Sequence, residues 1–246
     1  MQENSAYARD ERLHNNPNLN TKSVQIAQKI LSKNDKKAAE LRAQYADLGV
    51  YVINLMSSPG SGKTTLLESL SAFGDFRFAV LEGDLQTNRD AARLQDKGVS
   101  AYQITTGEAC HLEASMIESA LCELQKQCDI TQMDYLFIEN VGNLVCPASY
   151  DLGAALNLVL LSTPEGDDKV LKYPTMFMCA DAVIISKADI MEHFQFSIER
   201  VKADLARLKA DMPLFLTSSK DKGSIEVLRD FIVQKRAQNY QSQHQF

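Results

Sequence analysis

Ser57-Ser58-Pro59-Gly60-Ser61-Gly62-Lys63-Thr64-Thr65 joins an apolar run, Val50-Tyr51-Val52-Ile53-Asn54-Leu55-Met56, to a stretch of helical character running on to Leu70. Glycines at 60 and 62 let successive backbone N–H groups turn inward around an anion, Lys63 adds positive charge beside the β- and γ-phosphates, and Thr64 offers a hydroxyl to Mg²⁺. The helix that follows directs the positive end of its dipole at the same point. The stretch therefore predicts a polyphosphate site between a buried strand and a helix. Gly60, Ser61, Gly62, Lys63, Thr64 and Thr65 are its candidate binding residues, and Lys63 is also a candidate catalytic group. One residue departs from the usual Gly-x-x-x-x-Gly-Lys-Ser/Thr pattern, because Ser57 stands first.

Outward from this loop, apolar runs alternate with amphipathic stretches, which is the signature of an α/β protein. Strands are expected at Val50 to Met56, Phe76 to Glu82, Ala101 to Ile104, Tyr135 to Glu139, Leu156 to Ser162, Ala182 to Ser186 and Leu214 to Thr217. Several are almost continuously apolar, as burial on both faces requires. Helices are expected at about Thr65 to Ala72, Thr87 to Lys97, His111 to Cys122, Ser197 to Lys209 and Ser224 to Arg236. The fold class is a three-layer P-loop NTPase: a mainly parallel twisted sheet flanked by helices, spanning residues 50–246. Residues 1–49 form a short N-terminal helical extension, with a loop at Asn15-Asn16-Pro17-Asn18 and two helices, Thr21 to Ser32 and Asp35 to Leu48. Its apolar stripe of Val24, Ala27, Ile30 and Leu31 either packs on the nucleotide domain or binds a partner.

A chain of 246 residues with net charge −6 carries no electrostatic footprint for nucleic acid, and its basic residues are scattered. No signal pattern opens the chain and no run approaches the roughly 20 apolar residues of a membrane helix, so a cytoplasmic protein is expected. Five widely spaced cysteines do not form a disulfide framework.

In a parallel sheet, ligands collect beyond the carboxyl ends of the strands, and chemically suggestive residues stand there. Asp84 closes the second strand, where a carboxylate supports a metal or orients the attacking water. Glu139 closes the run Tyr135-Leu136-Phe137-Ile138 and precedes Gly142. Glu-Asn-Val-Gly resembles the Asp-x-x-Gly switch of GTPases, in which the glycine N–H senses the γ-phosphate. Thr64, Asp84 and Glu139, directly or through water, are oxygen donors of the kind Mg²⁺ takes. Ser186-Lys187-Ala188-Asp189 resembles the Asn-Lys-x-Asp element, whose Asp accepts from guanine N1–H and the 2-amino group. Lys187 lays its stem over the base, and Ser218-Ser219-Lys220 looks like a second base-contacting loop, with Ser219 and Lys220 as its candidate binding residues. Ser186 in place of Asn puts the bracing of the phosphate loop by that side chain in question.

Cys110 and His111 are adjacent, and Cys146 follows shortly after Gly142. Thiolate and imidazole suit Zn²⁺, Ni²⁺ or Cu, with tetrahedral geometry favouring Zn²⁺ and square-planar geometry Ni²⁺. Three ligands leave a site open, and a second subunit could complete it. Cys122, Cys128 and Cys179 are expected in the core, and His14, His193 and His244 on the surface.

These motifs resemble those of the HypB family of hydrogenase-maturation GTPases. The resemblance also rests on Glu82-Gly83-Asp84-Leu85-Gln86-Thr87, Glu139-Asn140-Val141-Gly142-Asn143-Leu144-Val145-Cys146-Pro147 and Leu171-Lys172-Tyr173-Pro174. It covers Val50 to the C-terminus and implies a homodimeric, Mg²⁺-dependent GTPase of low intrinsic turnover that binds GTP and GDP. It further implies Cys110, His111 and Cys146 as ligands of nickel or zinc, a HypA-type nickel-binding partner, and a hydrogenase large subunit as client. Related dimeric enzymes place a lysine on the partner's phosphates, a role that falls to Lys169. The Cys-rich or His-rich nickel-storage segment of many relatives has no counterpart before Cys110. Two rival functions are a metal carrier with nucleotide as a structural ligand, and a small-molecule kinase.

Overall fold

The computed structural model describes residues 21–84, 89–107 and 109–243. Its strands are β1 (Tyr51–Ser57), β2 (Phe78–Asp84), β3 (Ser100–Thr105), β4 (Tyr135–Glu139), β5 (Leu156–Ser162), β6 (Ala182–Ser186) and β7 (Leu214–Leu216). Its helices are α1 (Thr21–Leu48), α2 (Lys63–Ser71), α3 (Arg89–Asp96), α4 (Ala114–Gln127), α5 (Lys169–Lys172), α6 (Pro174–Met178), α7 (Ile198–Leu208) and α8 (Lys222–Gln243). The strands form one sheet in the order β3-β2-β4-β1-β5-β6-β7. Every pairing in it is parallel, where the sequence predicts a mainly parallel sheet. Chain order reverses about β1 and β4, so the carboxyl ends of the central strands open a crevice at the loop after β1.

Alternation along β1 sends Ile53 and Leu55 to one face, against Leu66, Leu67 and Leu70 of α2 and Leu228 of α8. Val52 turns to the other face, against Leu41 of α1 and Ile117 and Leu121 of α4. The same face continues over β5 and β6, where Phe177 and Val201 pack with Val159 and Val183. Leu67 and Leu70 are fully buried, and each contributes about 1.5–3 kcal/mol. The helix that presents Lys63 and Thr64 is thus anchored by its back, so its short length is no handicap.

Two helical features differ from expectation. The N-terminal pair is one continuous helix, α1. No Gly or Pro interrupts it, and buried Asn34, at the expected break, makes tertiary bonds instead. Its Nδ2 donates to the Asp151 carbonyl at 2.8 Å, and its Oδ1 accepts from Ala114 N at 2.9 Å. That second bond caps α4, which begins at Ala114 rather than His111; His111 therefore lies in the loop before the helix. Cys122 is exposed rather than in the core, because it follows Leu121 by one residue and is turned about 100° off the buried stripe. Cys128 and Cys179 are half-buried against the core, and His193 is exposed. His14, His244, the Asn15-Asn16-Pro17-Asn18 loop and Thr87 lie outside the described residues.

Candidate nucleotide and metal site

β1 delivers Ser57 into the loop, and Gly62 takes φ +95°, a left-handed conformation that favours glycine, just before α2. Lys63 is buried, and its Nζ donates to Ser57 Oγ at 3.1 Å. The unusual first residue thus holds the lysine. Behind the loop, Ser61 Oγ lies 2.7 Å from Glu165 Oε1, and Glu165 also accepts from the backbone N–H of Ser162. Sequence reasoning did not single out Glu165; its capping-box spacing from Ser162 was the available signal.

The exit of β6 grips the same loop. Ser186 Oγ donates to the Ser61 carbonyl at 2.6 Å, and Lys187 Nζ donates to the Gly60 carbonyl at 2.8 Å. Ser186 therefore braces the phosphate loop despite standing where Asn is usual, because its short side chain lies close enough to reach the carbonyl. Ser186→Ala is expected to lower stability by about 1 kcal/mol and to weaken GDP binding by up to about fivefold. Denaturant unfolding and a fluorescent-GDP titration read the two effects.

Asp189 lies just beyond. Its Oδ1 accepts from Ser218 Oγ at 2.8 Å, its Oδ2 pairs with Lys220 Nζ at 2.8 Å, and the two partners hold its carboxyl below the usual range. Ser218, not the exposed Ser219, is the serine of that loop that touches Asp189.

On the opposite side of the crevice β2 and β4 are neighbours, with Glu82 in register with Glu139. Thr64 Oγ1 donates to Glu139 Oε1 at 2.9 Å. Glu82 and Glu139 are both buried, and the Oε2 of each has no hydrogen-bond partner. Burial pushes Glu82 up to about 8, with the charge of Glu139 adding to it. Burial likewise raises Glu139, against the pull of Lys63 and Thr64. Asp84 is half-buried at the end of β2, where its carbonyl accepts from Thr106 N at 3.0 Å. A threonine hydroxyl and a buried carboxylate oxygen lacking a partner are hard donors that fit Mg²⁺.

Cys110, His111 and Cys146 converge. Their ligand atoms all lie within 4.8 Å of one another, with the two Sγ atoms 3.0 Å apart and His111 Nδ1 3.9 Å from Cys110 Sγ. The imidazole stacks on Tyr150 at 3.9 Å between ring centres. Its Nε2 is buried without a hydrogen bond, with Glu113 Oε1 3.6 Å away. Burial and the adjacent Cys110 push the Cys146 thiol up. This donor set could hold a thiophilic divalent ion.

Asn143 joins the two halves of the site. Its backbone N–H donates to the Ser57 carbonyl at 2.8 Å, and its Nδ2 donates to the Cys110 carbonyl at 3.4 Å. Its Oδ1 accepts from Val145 N at 2.8 Å. A Cβ on Gly142 would stand 2.7 Å from Pro59 Cα, so only glycine lets the segment pass this close to the phosphate loop. Asn143 lay inside a recognised motif, but no local pattern told of its three contacts. Lys169, by contrast, pairs within its own chain, its Nζ 2.7 Å from Asp168 Oδ1.

Residues 51–215 match the family model described as CobW/HypB/UreG, nucleotide-binding domain. The chain is 80% identical over 239 residues to the hydrogenase/urease maturation factor HypB of Helicobacter hepaticus, covering 97% of this chain and 99% of that one. It is similar to the crystal structure of HypB from Helicobacter pylori in complex with nickel, at 65% identity and a TM-score of 0.83, over 87% of this chain and 100% of that one. HypB from Archaeoglobus fulgidus matches at 33% identity and a TM-score of 0.75, over 84% of this chain and all of the other. A family model that spans most of the chain and relatives alike over nearly all of it place the chain in the HypB family of maturation factors, within the CobW/HypB/UreG nucleotide-binding proteins.

Proposed function

We propose that the chain is a GTP-hydrolysing metallochaperone that binds nickel at Cys110, His111 and Cys146 and releases it toward an apo-metalloenzyme when GTP is hydrolysed. The observation that carries this is Asn143, bonded at once to the Ser57 carbonyl of the phosphate loop and the Cys110 carbonyl of the thiol cluster. A shift of the Gly142-Asn143 segment that follows the γ-phosphate would move Cys110 and Cys146 together.

Residues 50–246 act as the GTPase domain and residues 1–49 as its helical extension. Gly60, Ser61, Gly62 and Thr65 hold phosphate oxygens with backbone N–H groups, and Lys63 leaves Ser57 to meet the β- and γ-phosphates. Thr64 and Glu139, with Asp84, would hold Mg²⁺, which when bound neutralises phosphate charge. Asp189 selects guanine, Lys187 covers the base, and Ser219 and Lys220 flank it. The chain acts as a cytoplasmic homodimer, with Lys169 leaving Asp168 to reach the partner's phosphates. Its clients are a hydrogenase large subunit or, as the relatives' names extend it, a urease, and a HypA-type protein exchanges nickel with it. Zn²⁺ is the competing occupant of the thiol cluster. The rival carrier function makes the same contacts but needs no turnover.

The purified chain is expected to hydrolyse GTP slowly and ATP not at all in single-turnover assays, and to bind Ni²⁺ with an affinity that differs between a GTP analogue and GDP. Equal use of both nucleotides overturns the guanine assignment. A nickel affinity indifferent to nucleotide overturns the coupling.

A further inference from the structure

The motif assignments leave one acidic side chain of the crevice unused. Glu82 lies on β2 beside Glu139 of β4, and adjacent strands stand about 4.8 Å apart. By strand alternation both carboxyls share the face of Val80 and Phe137, the face on which α2 packs and from which Thr64 projects. Glu82 is 2% exposed, and its Oε2 has no hydrogen-bond partner. Lys63 faces both acids but donates to Ser57, while Arg93 is paired with Asp90 and Glu68. The remaining charged neighbours, Asp84 and Asp90, are acidic. Two buried carboxyls side by side repel one another when ionised, and an unpartnered buried oxygen is itself costly. An apolar residue at 82 would remove both penalties, so an acid there calls for a cation that the side chains alone do not supply.

The geometry points to Glu82 as a further carboxylate of the magnesium site, placing its Oε2 toward the hydrated cation beside Glu139. This rests on the nucleotide function proposed above and adds to it a positioning residue beyond Thr64, Asp84 and Glu139. Mg²⁺ keeps several waters and is held through carboxylates that bind it directly or through those waters. Glu82 would orient one such water from the sheet.

The test uses the full chain, a fluorescent GDP analogue and Mg²⁺. Glu82→Gln is expected to raise the Mg²⁺ concentration for half-maximal enhancement of nucleotide binding by about tenfold or more, with nucleotide affinity in chelator unchanged. In the metal-free, nucleotide-free protein, Glu82→Leu is expected to raise the thermal midpoint, because it removes a buried carboxyl without a partner. An unchanged Mg²⁺ dependence in Glu82→Gln overturns the proposal. So does a lowered midpoint in Glu82→Leu, which marks a purely structural role. If the unaltered chain binds guanine nucleotide without regard to Mg²⁺, the proposal falls; if it binds no guanine nucleotide, the nucleotide function itself falls.

Discussion

Lys63→Ala is expected to slow GTP hydrolysis by about 10²–10³-fold, the loss typical when one preorganised donor is removed from a developing anion. The lysine is buried at the first turn of α2, so its charge acts in a dry crevice where it is only weakly screened. In the free protein its Nζ donates to Ser57 Oγ, a neutral partner that a phosphate oxygen readily replaces. The variant should fold, because α2 is held by Leu66, Leu67 and Leu70 rather than by the lysine. Single-turnover GTP hydrolysis beside a circular-dichroism melt checks both halves. A retained rate in a folded variant overturns the role given to Lys63. Client metallation that survives the loss of hydrolysis instead supports the carrier function.

The phosphate-binding motif, the strand positions and the three residues of the Cys-His-Cys cluster are legible in the sequence because each is carried by local pattern. Glycine spacing, near-continuous apolar runs and a Cys-His pair need no partner from elsewhere to be recognised. What stayed hidden depends on which strand lies beside which. Glu82 reads as one more residue of the second strand until β2 is seen to pair with β4, which sets it against Glu139. Ser186 reads as a defective Asn until β6 is brought beside the loop and its hydroxyl meets Ser61. The start of α4 was misplaced for the same reason, since its cap comes from Asn34 on α1. Within Ser218-Ser219-Lys220 the sequence does not tell which serine turns inward; it is Ser218 whose hydroxyl meets Asp189.

Cys146→Ala is expected to weaken nickel binding by about 100-fold or more and to reduce the thiolate-to-nickel charge-transfer absorption, since Cys110 is then the one thiolate left in the cluster. Changing even a residue that only orients a ligand costs about 10- to 100-fold in metal affinity, and here one of three donors disappears. The remaining Cys110 and His111 are half-buried neighbours that cannot close a site alone. Nucleotide binding should persist, because the Cys146 side chain faces Cys110 and His111 in the thiol cluster. Asn143→Ala separates binding from coupling: all three donors remain, while the side-chain bonds to the Cys110 carbonyl and Val145 N–H are lost. Linkage requires that if GTP alters nickel affinity by some factor, nickel alters GTP affinity by the same factor. Isothermal titration of each ligand in the presence of the other should therefore give matching factors in the unaltered chain. In Asn143→Ala both factors should fall toward one while nickel still binds. A coupling factor that survives in that variant would show that the two sites communicate by a route other than Asn143.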